Sequence, residues 1–283
     1  MFYTTNKTKL FGILGTPIEH TLSPKMHSFL AEKEGIDMSY LAFDVKPNDL
    51  HTAICGFKAA HASGFNITSP HKIEIMQELD MIMDDAVIMN SVNTIVNKDG
   101  KWYGYNTDGD GFCQSLIFGG HEIEDKNILV MGAGGSARSI CYKLAEYGAK
   151  SITIKSRNPE KINVIGEIII KYSDADFFDN FDKTKKYDII INATPLGMHP
   201  NESENPCDFM EIINNETVCC DLVYNPSKTV FLQEAEKRGA RIVNGLGMLI
   251  VQGIIAFELF NNTKLDRKKY YKELSELLCD FKI

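Results

Sequence analysis

What this sequence lacks narrows it first. Its seven cysteines form no C-x-x-C pair and leave an odd total, so no disulfide framework is encoded, and adjacent Cys219-Cys220 lies in an apolar run that reads as a buried strand. That usage predicts a reduced, cytoplasmic setting. The opening residues Met1-Phe2-Tyr3-Thr4-Thr5-Asn6-Lys7 show no apolar h-region, and the best membrane candidate, Leu246 to Phe260, is short and interrupted by Gln252 and Glu258. The chain is therefore expected to be neither secreted nor membrane-spanning. The histidines, among them His20, His27, His71 and His199, show no H-E-x-x-H spacing and no pairing with cysteine, so no metal is predicted. Excess positive charge is lacking too: a net charge of −8 argues against nucleic acid or an anionic membrane as partner. Any anionic ligand must be captured by local donors. No internal repeat, low-complexity segment or long linker is found.

What is present is an ordinary globular composition, 44% hydrophobic and 24% charged over 283 residues, a length that favours about two domains. The first third alternates strand and helix patterns: a strand over Leu10–Leu14, a helix from Pro24 to Glu34, a strand over Tyr40–Val45, a helix from Asp49 to Ala62 and a strand over Gly64–Thr68. Ser23 is the expected N-cap of the first helix, with Pro24 at its first position and Gly35 past its end. A further helix is expected to start at Ser69-Pro70. Val92–Val96 and Lys101–Tyr105 read as a hairpin around Lys98-Asp99-Gly100. After a linking helix over Gly109–Phe118, strands are expected at Ile128–Met131, Ile152–Lys155, Asp188–Ile191, Val218–Asp221 and Arg241–Val243 with helices between, a doubly wound parallel sheet. The fold class is α/β with two domains: an N-terminal α/β substrate domain over 1–106 and a Rossmann-like dinucleotide-binding domain over 107–246. Helices over 247–283, the last from Leu265 to Phe281, are expected to pack back on the first domain. Met81, Met83 and Met89 read as core filling.

Gly132-Ala133-Gly134-Gly135-Ser136-Ala137-Arg138 follows the apolar run Ile128-Leu129-Val130-Met131 and opens a helix. Gly132, Gly134 and Ala137 fit G-x-G-x-x-A in the strand-turn-helix setting that presents backbone N–H groups to a pyrophosphate; the plainer reading is a tight turn with no ligand. The next strand ends Lys155-Ser156-Arg157, without the acid that binds a ribose 2′-hydroxyl before Glu160, and Lys161 follows. Cations there favour NADP over NAD, against the alternative of a solvated basic strand end. Asn192-Ala193-Thr194-Pro195 lies at another carboxyl strand end, as a ligand loop or as a plain turn.

In the first domain, polar residues gather at segment ends: Thr21 and Ser23, Thr68 and Lys72, Asn93, Asn106 and Asp108. Most have an ordinary explanation as caps or exposed groups. Lys72 does not, because it would fall in the first turn of the helix from Pro70, where the macrodipole disfavours a cation and would lower its pKa towards a useful proton acceptor. Asp108 could be its partner.

In order, Gly15-Thr16-Pro17-Ile18-Glu19-His20-Thr21-Leu22-Ser23-Pro24, Asn66-Ile67-Thr68-Ser69-Pro70-His71-Lys72, Ser91-Val92-Asn93-Thr94, Asn106-Thr107-Asp108-Gly109, the Gly132 loop, Asn192-Ala193-Thr194, Asp221-Leu222-Val223-Tyr224-Asn225-Pro226 and Gly247-Met248-Leu249-Ile250-Val251-Gln252-Gly253 resemble the shikimate dehydrogenase family over essentially the whole chain. The resemblance implies reversible NADP-linked reduction of 3-dehydroshikimate to shikimate, in the route to aromatic amino acids. It implies Thr21 and Ser23 on the substrate carboxylate; Thr68, Lys72, Asn93, Asp108 and Gln252 around the ring hydroxyls; Tyr224 near the nicotinamide; and Lys72 with Asp108 as the catalytic acid/base pair. The cofactor set it implies is Gly132, Ala133, Gly134, Gly135, Ser136, Ala137, Ser156, Arg157, Lys161, Asn192, Thr194 and Gly245. Two departures stand out: Thr21-Leu22-Ser23 where the family commonly has Ser-x-Ser, which bears on tolerance for quinate, and Ser156-Arg157-Asn158 where Asn-Arg-Thr is typical of NADP-dependent members. A quinate/shikimate dehydrogenase paralogue using NAD and a non-catalytic sensor binding dinucleotide or a shikimate-like acid are the alternatives. A homodimer is left open. His20 and His71 are expected to pack or hydrogen-bond rather than transfer protons.

Overall fold

The computed structural model describes residues 4–19 and 21–279, so the opening Met1-Phe2-Tyr3, His20 and the end of the expected last helix lie outside the described residues. The chain divides into two compact units, Met1–Thr107 with Gln252–Ile283, and Asp108–Val251.

The first unit holds β1 (Lys9–Gly15), α1 (Ser23–Glu34), β2 (Met38–Asp44), α2 (Leu50–Ala59), β3 (Gly64–Ile67), β4 (Met81–Ile82), α3 (Asp84–Ile88), β5 (Thr94–Lys98) and β6 (Lys101–Tyr105). Its sheet runs β2-β1-β3-β5-β6-β4. β1 is parallel to β2 and β3, whereas β5 is antiparallel to β3 and to β6. The carboxyl ends of β1, β3 and β6 and the amino end of β5 therefore share one edge of the sheet. One face packs Leu14, Phe65, Ile67, Ile95 and Trp102 on Ile54 of α2; the other packs Phe11, Ile13 and Tyr40 on Ala256 and Phe260.

The second unit holds α4 (Asp108–Phe118), β7 (Asn127–Met131), α5 (Gly135–Glu146), β8 (Ser151–Lys155), α6 (Pro159–Tyr172), β9 (Asp176–Phe178), β10 (Ile189–Asn192), β11 (Val218–Asp221), α7 (Val230–Lys237) and β12 (Arg241–Val243). The order β9-β8-β7-β10-β11-β12 is parallel throughout. Alternate side chains of the same strands feed opposite faces: Ile128, Val130, Ile189 and Ile191 meet α4, α5 and α6, while Leu129, Met131, Ile190 and Cys219 meet Phe209, Phe231 and Leu232. Burial on both faces is why these strands read as unbroken apolar runs. The strand order reverses between β7 and β10, the switch point at which doubly wound sheets open a crevice. α8 (Leu246–Asn261) carries the unit boundary within it, and α9 (Arg267–Leu278) follows. Within the first unit, α9 ties to α1 through Lys25 Nζ on the Leu277 carbonyl (3.5 Å) and Lys33 on Glu273 (3.2 Å).

Three local expectations are corrected. No α-helix starts at Ser69-Pro70: residues 69–73 are turns, followed by a short 3-10 helix over Glu74–Glu78. Backbone that a helix would need is committed elsewhere, the Ser69 carbonyl accepting from Thr16 N (3.1 Å) and the Lys72 carbonyl from Val92 N (2.8 Å). Ser23 is the first residue of α1 rather than its cap; Leu22 already has helical backbone angles, and Ser23 N donates to Thr21 Oγ1 (3.3 Å) in a local turn. Met81 and Met83 are 51% and 42% exposed, Met81 in β4, a two-residue strand at the sheet edge, and Met83 just after it; Met89 is fully buried.

Candidate active site

The shared edge of the first sheet gathers the polar residues of the first unit. Thr16 to Ser23 follow β1, Thr68 to Lys72 follow β3, Asn106 and Thr107 follow β6, and Ser91 to Asn93 precede β5. Backbone bonds lock these segments together: Thr68 N to Leu14 O (2.9 Å), Ile67 N to Asn93 O (2.7 Å) and Asn93 N to Tyr105 O (3.0 Å). Gly15 is required here, since a Cβ would lie 2.2 Å from Thr68 Cγ2. His71 is buried and its Nε2 sits 2.7 Å from the Val45 carbonyl, a structural bond that fixes the turn carrying Lys72. No α-helix N-terminus lies beneath Lys72, so the macrodipole expected there does not act on it. Ser23 and Asn93 are buried, and Thr21, Thr68 and Lys72 are half-buried.

Asn93 lies in a closed polar array. Its Oδ1 accepts from Thr107 N (2.8 Å) and Thr94 Oγ1 (3.0 Å), and its Nδ2 donates to Thr107 Oγ1 (3.0 Å). Thr107 Oγ1 in turn lies 3.5 Å from Gln252 Oε1. Behind it, Tyr40 donates to Asn66 Oδ1 (2.6 Å) and Asn66 Nδ2 to Thr94 Oγ1 (3.0 Å). Burial pushes the Tyr40 phenol well above its usual range, with the Ser23 hydroxyl pulling the other way. His27 stacks on Tyr40 with ring centres 4.1 Å apart, and neither of its ring nitrogens has a hydrogen-bond partner. Burial lowers its pKa to about 3, the nearby Asn66 amide offsetting part of the shift.

In the second unit the Gly132 loop leaves β7 at the switch point. Gly132 has φ +110°, and a Cβ would sit 2.8 Å from the Ala193 carbonyl, so both backbone and space demand glycine. Gly134 and Gly135 differ: Gly134 has φ −80°, and a Cβ on either would meet nothing within 4 Å. The fold itself does not require glycine at these two positions. Open space beside the uncapped N-terminus of α5 fits a pyrophosphate approaching the backbone. Ala137 is fully buried, as the third small position of such a loop requires for close helix packing.

Asn192 does not offer its side chain outward. Its Oδ1 accepts from Thr194 N (2.9 Å) and Thr194 Oγ1 (2.7 Å), and its Nδ2 donates to Leu196 O (3.1 Å) and Asp221 Oδ1 (2.9 Å). Asp221 also accepts from Val223 N (2.9 Å) and Thr229 Oγ1 (2.7 Å), while burial raises its pKa. This Asn192–Asp221–Thr229 network holds the two loops after β10 and β11. Sequence alone assigns Asp221 no role, although an acid closing a Val-Cys-Cys run is a signal, because a buried carboxylate needs partners. Gly245 also has a structural reason: a Cβ would lie 2.1 Å from Leu222 O, and its N donates to Val223 O (3.0 Å). Tyr224 is half-buried in the loop after β11, and burial raises its pKa.

At the end of β8, Lys155 pairs with Asp208 and lies over the Phe209 ring (4.6 Å). That leaves exposed Arg157 and Lys161, with half-buried Ser156, as the polar group beside the strand end. Asn158 Oδ1 caps α6 by accepting from Lys161 N (3.1 Å). Asp108, buried, opens α4 as the first residue of the second unit. Among the described residues no group of three or more His, Cys, Asp or Glu side chains is arranged to hold a metal ion.

Comparison with known proteins meets this geometry at both units. Residues 13–95 match the model of the shikimate dehydrogenase substrate binding domain, and residues 115–221 match that of shikimate / quinate 5-dehydrogenase. A shikimate dehydrogenase (NADP(+)) of Methanococcus maripaludis is 43% identical over 269 residues, covering 92% of this chain and 94% of its own. The chain belongs to the shikimate dehydrogenase family. Solved members of that family share the fold along nearly its full length. A shikimate 5-dehydrogenase from Listeria monocytogenes in complex with shikimate and NAD superposes with a TM-score of 0.87 at 35% identity, covering 97% of this chain and 98% of that one. A shikimate dehydrogenase in complex with NADP+ gives 0.85 at 40% identity, covering 96% and 97%.

Proposed function

We propose that this chain catalyses the reversible NADP-dependent reduction of 3-dehydroshikimate to shikimate. It is an oxidoreductase of the shikimate dehydrogenase family, and the observation that carries the substrate assignment is the polar array of the first unit, from Thr21 and Ser23 to Asn93 and Gln252, beside a fixed turn bearing Lys72. In this reading the first unit binds the substrate. Thr21 and Ser23 donate hydroxyls to the carboxylate, while Thr68, Asn93 and Gln252 fix the ring hydroxyls. Lys72 accepts the hydroxyl proton during oxidation and returns it during reduction, and Asp108 orients and tunes that amine.

The second unit holds NADP, which when bound supplies the hydride acceptor or donor. The backbone of Gly132, Ala133, Gly134, Gly135, Ser136 and Ala137 receives the pyrophosphate. Arg157, with Lys161 and Ser156, holds the 2′-phosphate, and the absence of an acid at the end of β8 supports NADP over NAD. Asn192, Thr194 and Gly245 act by shaping the loops at the switch point, and Tyr224 lines the nicotinamide side. Among the described residues no helix is long and apolar enough to cross a membrane. Seven free thiols, five of them buried, support a cytoplasmic setting, and the assembly proposed is a homodimer, to be measured by analytical ultracentrifugation.

The test is absorbance of the reduced nicotinamide with purified protein and shikimate, with NADP+ and NAD+ in separate cuvettes and quinate as parallel substrate. Rapid NADP+ reduction by shikimate supports the reading. Faster turnover of quinate or NAD+ moves the chain to the broader paralogue, and ligand binding without turnover makes it a sensor.

A further inference from the structure

The hydrogen bonds behind Asn93 have a direction, and that direction can be deduced rather than assumed. The backbone N–H of Thr107 can only donate, so the Asn93 atom it meets at 2.8 Å is Oδ1. Thr94 Oγ1, 3.0 Å from the same oxygen, must then spend its single proton there. Its lone pairs face Asn66, whose approaching atom at 3.0 Å is therefore Nδ2. Asn66 Oδ1 is left to accept, and Tyr40 supplies the proton at 2.6 Å. On the far side Asn93 Nδ2 donates to Thr107 Oγ1, whose single proton has Asn93 Oδ1 at 3.3 Å and Gln252 Oε1 at 3.5 Å as acceptors. Each donor in the series Tyr40, Asn66, Thr94, Asn93 points the same way, towards Thr107.

We propose that Thr94 is a positioning residue for the substrate site: its hydroxyl, fixed from behind by the Tyr40–Asn66 pair, holds the Asn93 amide in one orientation, so that Asn93 turns its amide N–H edge, not its carbonyl, towards the ligand. Thr94 is fully buried in β5 and acts through Asn93. The ligand oxygen facing this amide is thereby selected as an acceptor, and the amide is ordered before the ligand arrives. The inference rests on the assignment of Asn93 to shikimate.

Thr94→Val keeps the shape and removes the hydroxyl, leaving Asn93 Oδ1 one donor short and Asn66 Nδ2 with only its longer bond to the Asn93 carbonyl (3.4 Å). Thr94→Ser restores both bonds, and Tyr40→Phe breaks the series at its far end. Two readouts are taken on the full chain: steady-state kinetics with shikimate and NADP+, and hydrogen exchange of the Asn93 side-chain amide by 15N NMR of selectively labelled protein. Thr94→Val should raise KM for shikimate about tenfold with kcat changed much less, and accelerate exchange of the Asn93 amide. Thr94→Ser should return both to near the wild-type values, and Tyr40→Phe should shift both in the same direction by a smaller factor. If Thr94→Val unfolds the protein, Tyr40→Phe and Thr94→Ser carry the comparison. Unchanged KM with only a lowered melting temperature, or an Asn93 amide equally protected in all variants, overturns the proposal. A wild-type chain inactive with shikimate would refute the functional reading instead, and the exchange measurement would still decide whether Thr94 orders Asn93.

Discussion

Replacing His27 with Phe should flatten the acid limb of the stability curve. His27 is fully buried in α1, stacked on Tyr40 and near the Phe257 and Phe260 rings, and its pKa falls from 6.5 to about 3 because burial disfavours the imidazolium. The folded protein keeps the ring neutral, whereas the unfolded chain protonates it near 6.5. Below that value the unfolded state binds more protons, so stability falls with decreasing pH, by ~1.4 kcal/mol per pH unit until the folded pKa is reached. Between pH 7.5 and 4.5 this one residue should cost about 2.5 kcal/mol. The Phe ring preserves the stack on Tyr40 and cannot titrate. Urea unfolding of wild type and variant at pH 7.5, 6.5, 5.5 and 4.5 would give the difference directly: the gap between the two should move in the variant's favour by about that amount towards pH 4.5. A constant gap across the range would refute the assignment of the acid sensitivity to His27.

Other consequences are as specific. Gly134→Ala should fold with little loss of stability, its φ being negative and its surroundings open, yet raise KM for NADP+ by roughly tenfold or more if the pyrophosphate approaches there; kinetics and thermal melting together check this. Gly132→Ala, at φ +110° and against the Ala193 carbonyl, should instead destabilise the protein by about 1–3 kcal/mol in urea unfolding. Arg157→Ala should weaken NADP+ by roughly tenfold and leave NAD+ nearly unchanged, read from KM for each cofactor. Asp221→Asn puts an amide where three donors converge and should cost about 2–3 kcal/mol by the same unfolding assay.

The legible parts of this chain were those where one physical constraint dominates. β7, β10 and β11 are buried on both faces, so their apolar runs could mean little else, and the αL residue Gly35 ends α1 because only glycine takes that conformation freely. The Gly132 loop was readable for the same reason, its context being a strand and a helix. What was not legible depended on partners far along the chain. Ser69-Pro70 carries the local signs of a helix start, but the Ser69 and Lys72 carbonyls are claimed by Thr16 and Val92, which no local pattern reveals. Met81 and Met83 looked like core because hydrophobicity does not tell an edge strand from an interior one. β9, three residues with an exposed first position, is too short to show a period. In the site, hydroxyl and amide residues could be named from sequence, but not the direction of their hydrogen bonds. That direction belongs to Thr107, Thr94, Asn66 and Tyr40 acting together, and only coordinates join them.

Lys72 is the group proposed to move the proton, and its removal is the most direct test. Lys72→Ala should be compared with wild type for kcat in shikimate oxidation and, separately, for shikimate affinity by calorimetry in the presence of NADP+. Loss of a general acid/base predicts a fall in kcat of about 10²–10⁴-fold with affinity changed only a few-fold. Collapse of affinity with turnover preserved at saturating shikimate would contradict it, leaving Lys72 as a binding residue and the proton transfer to another group.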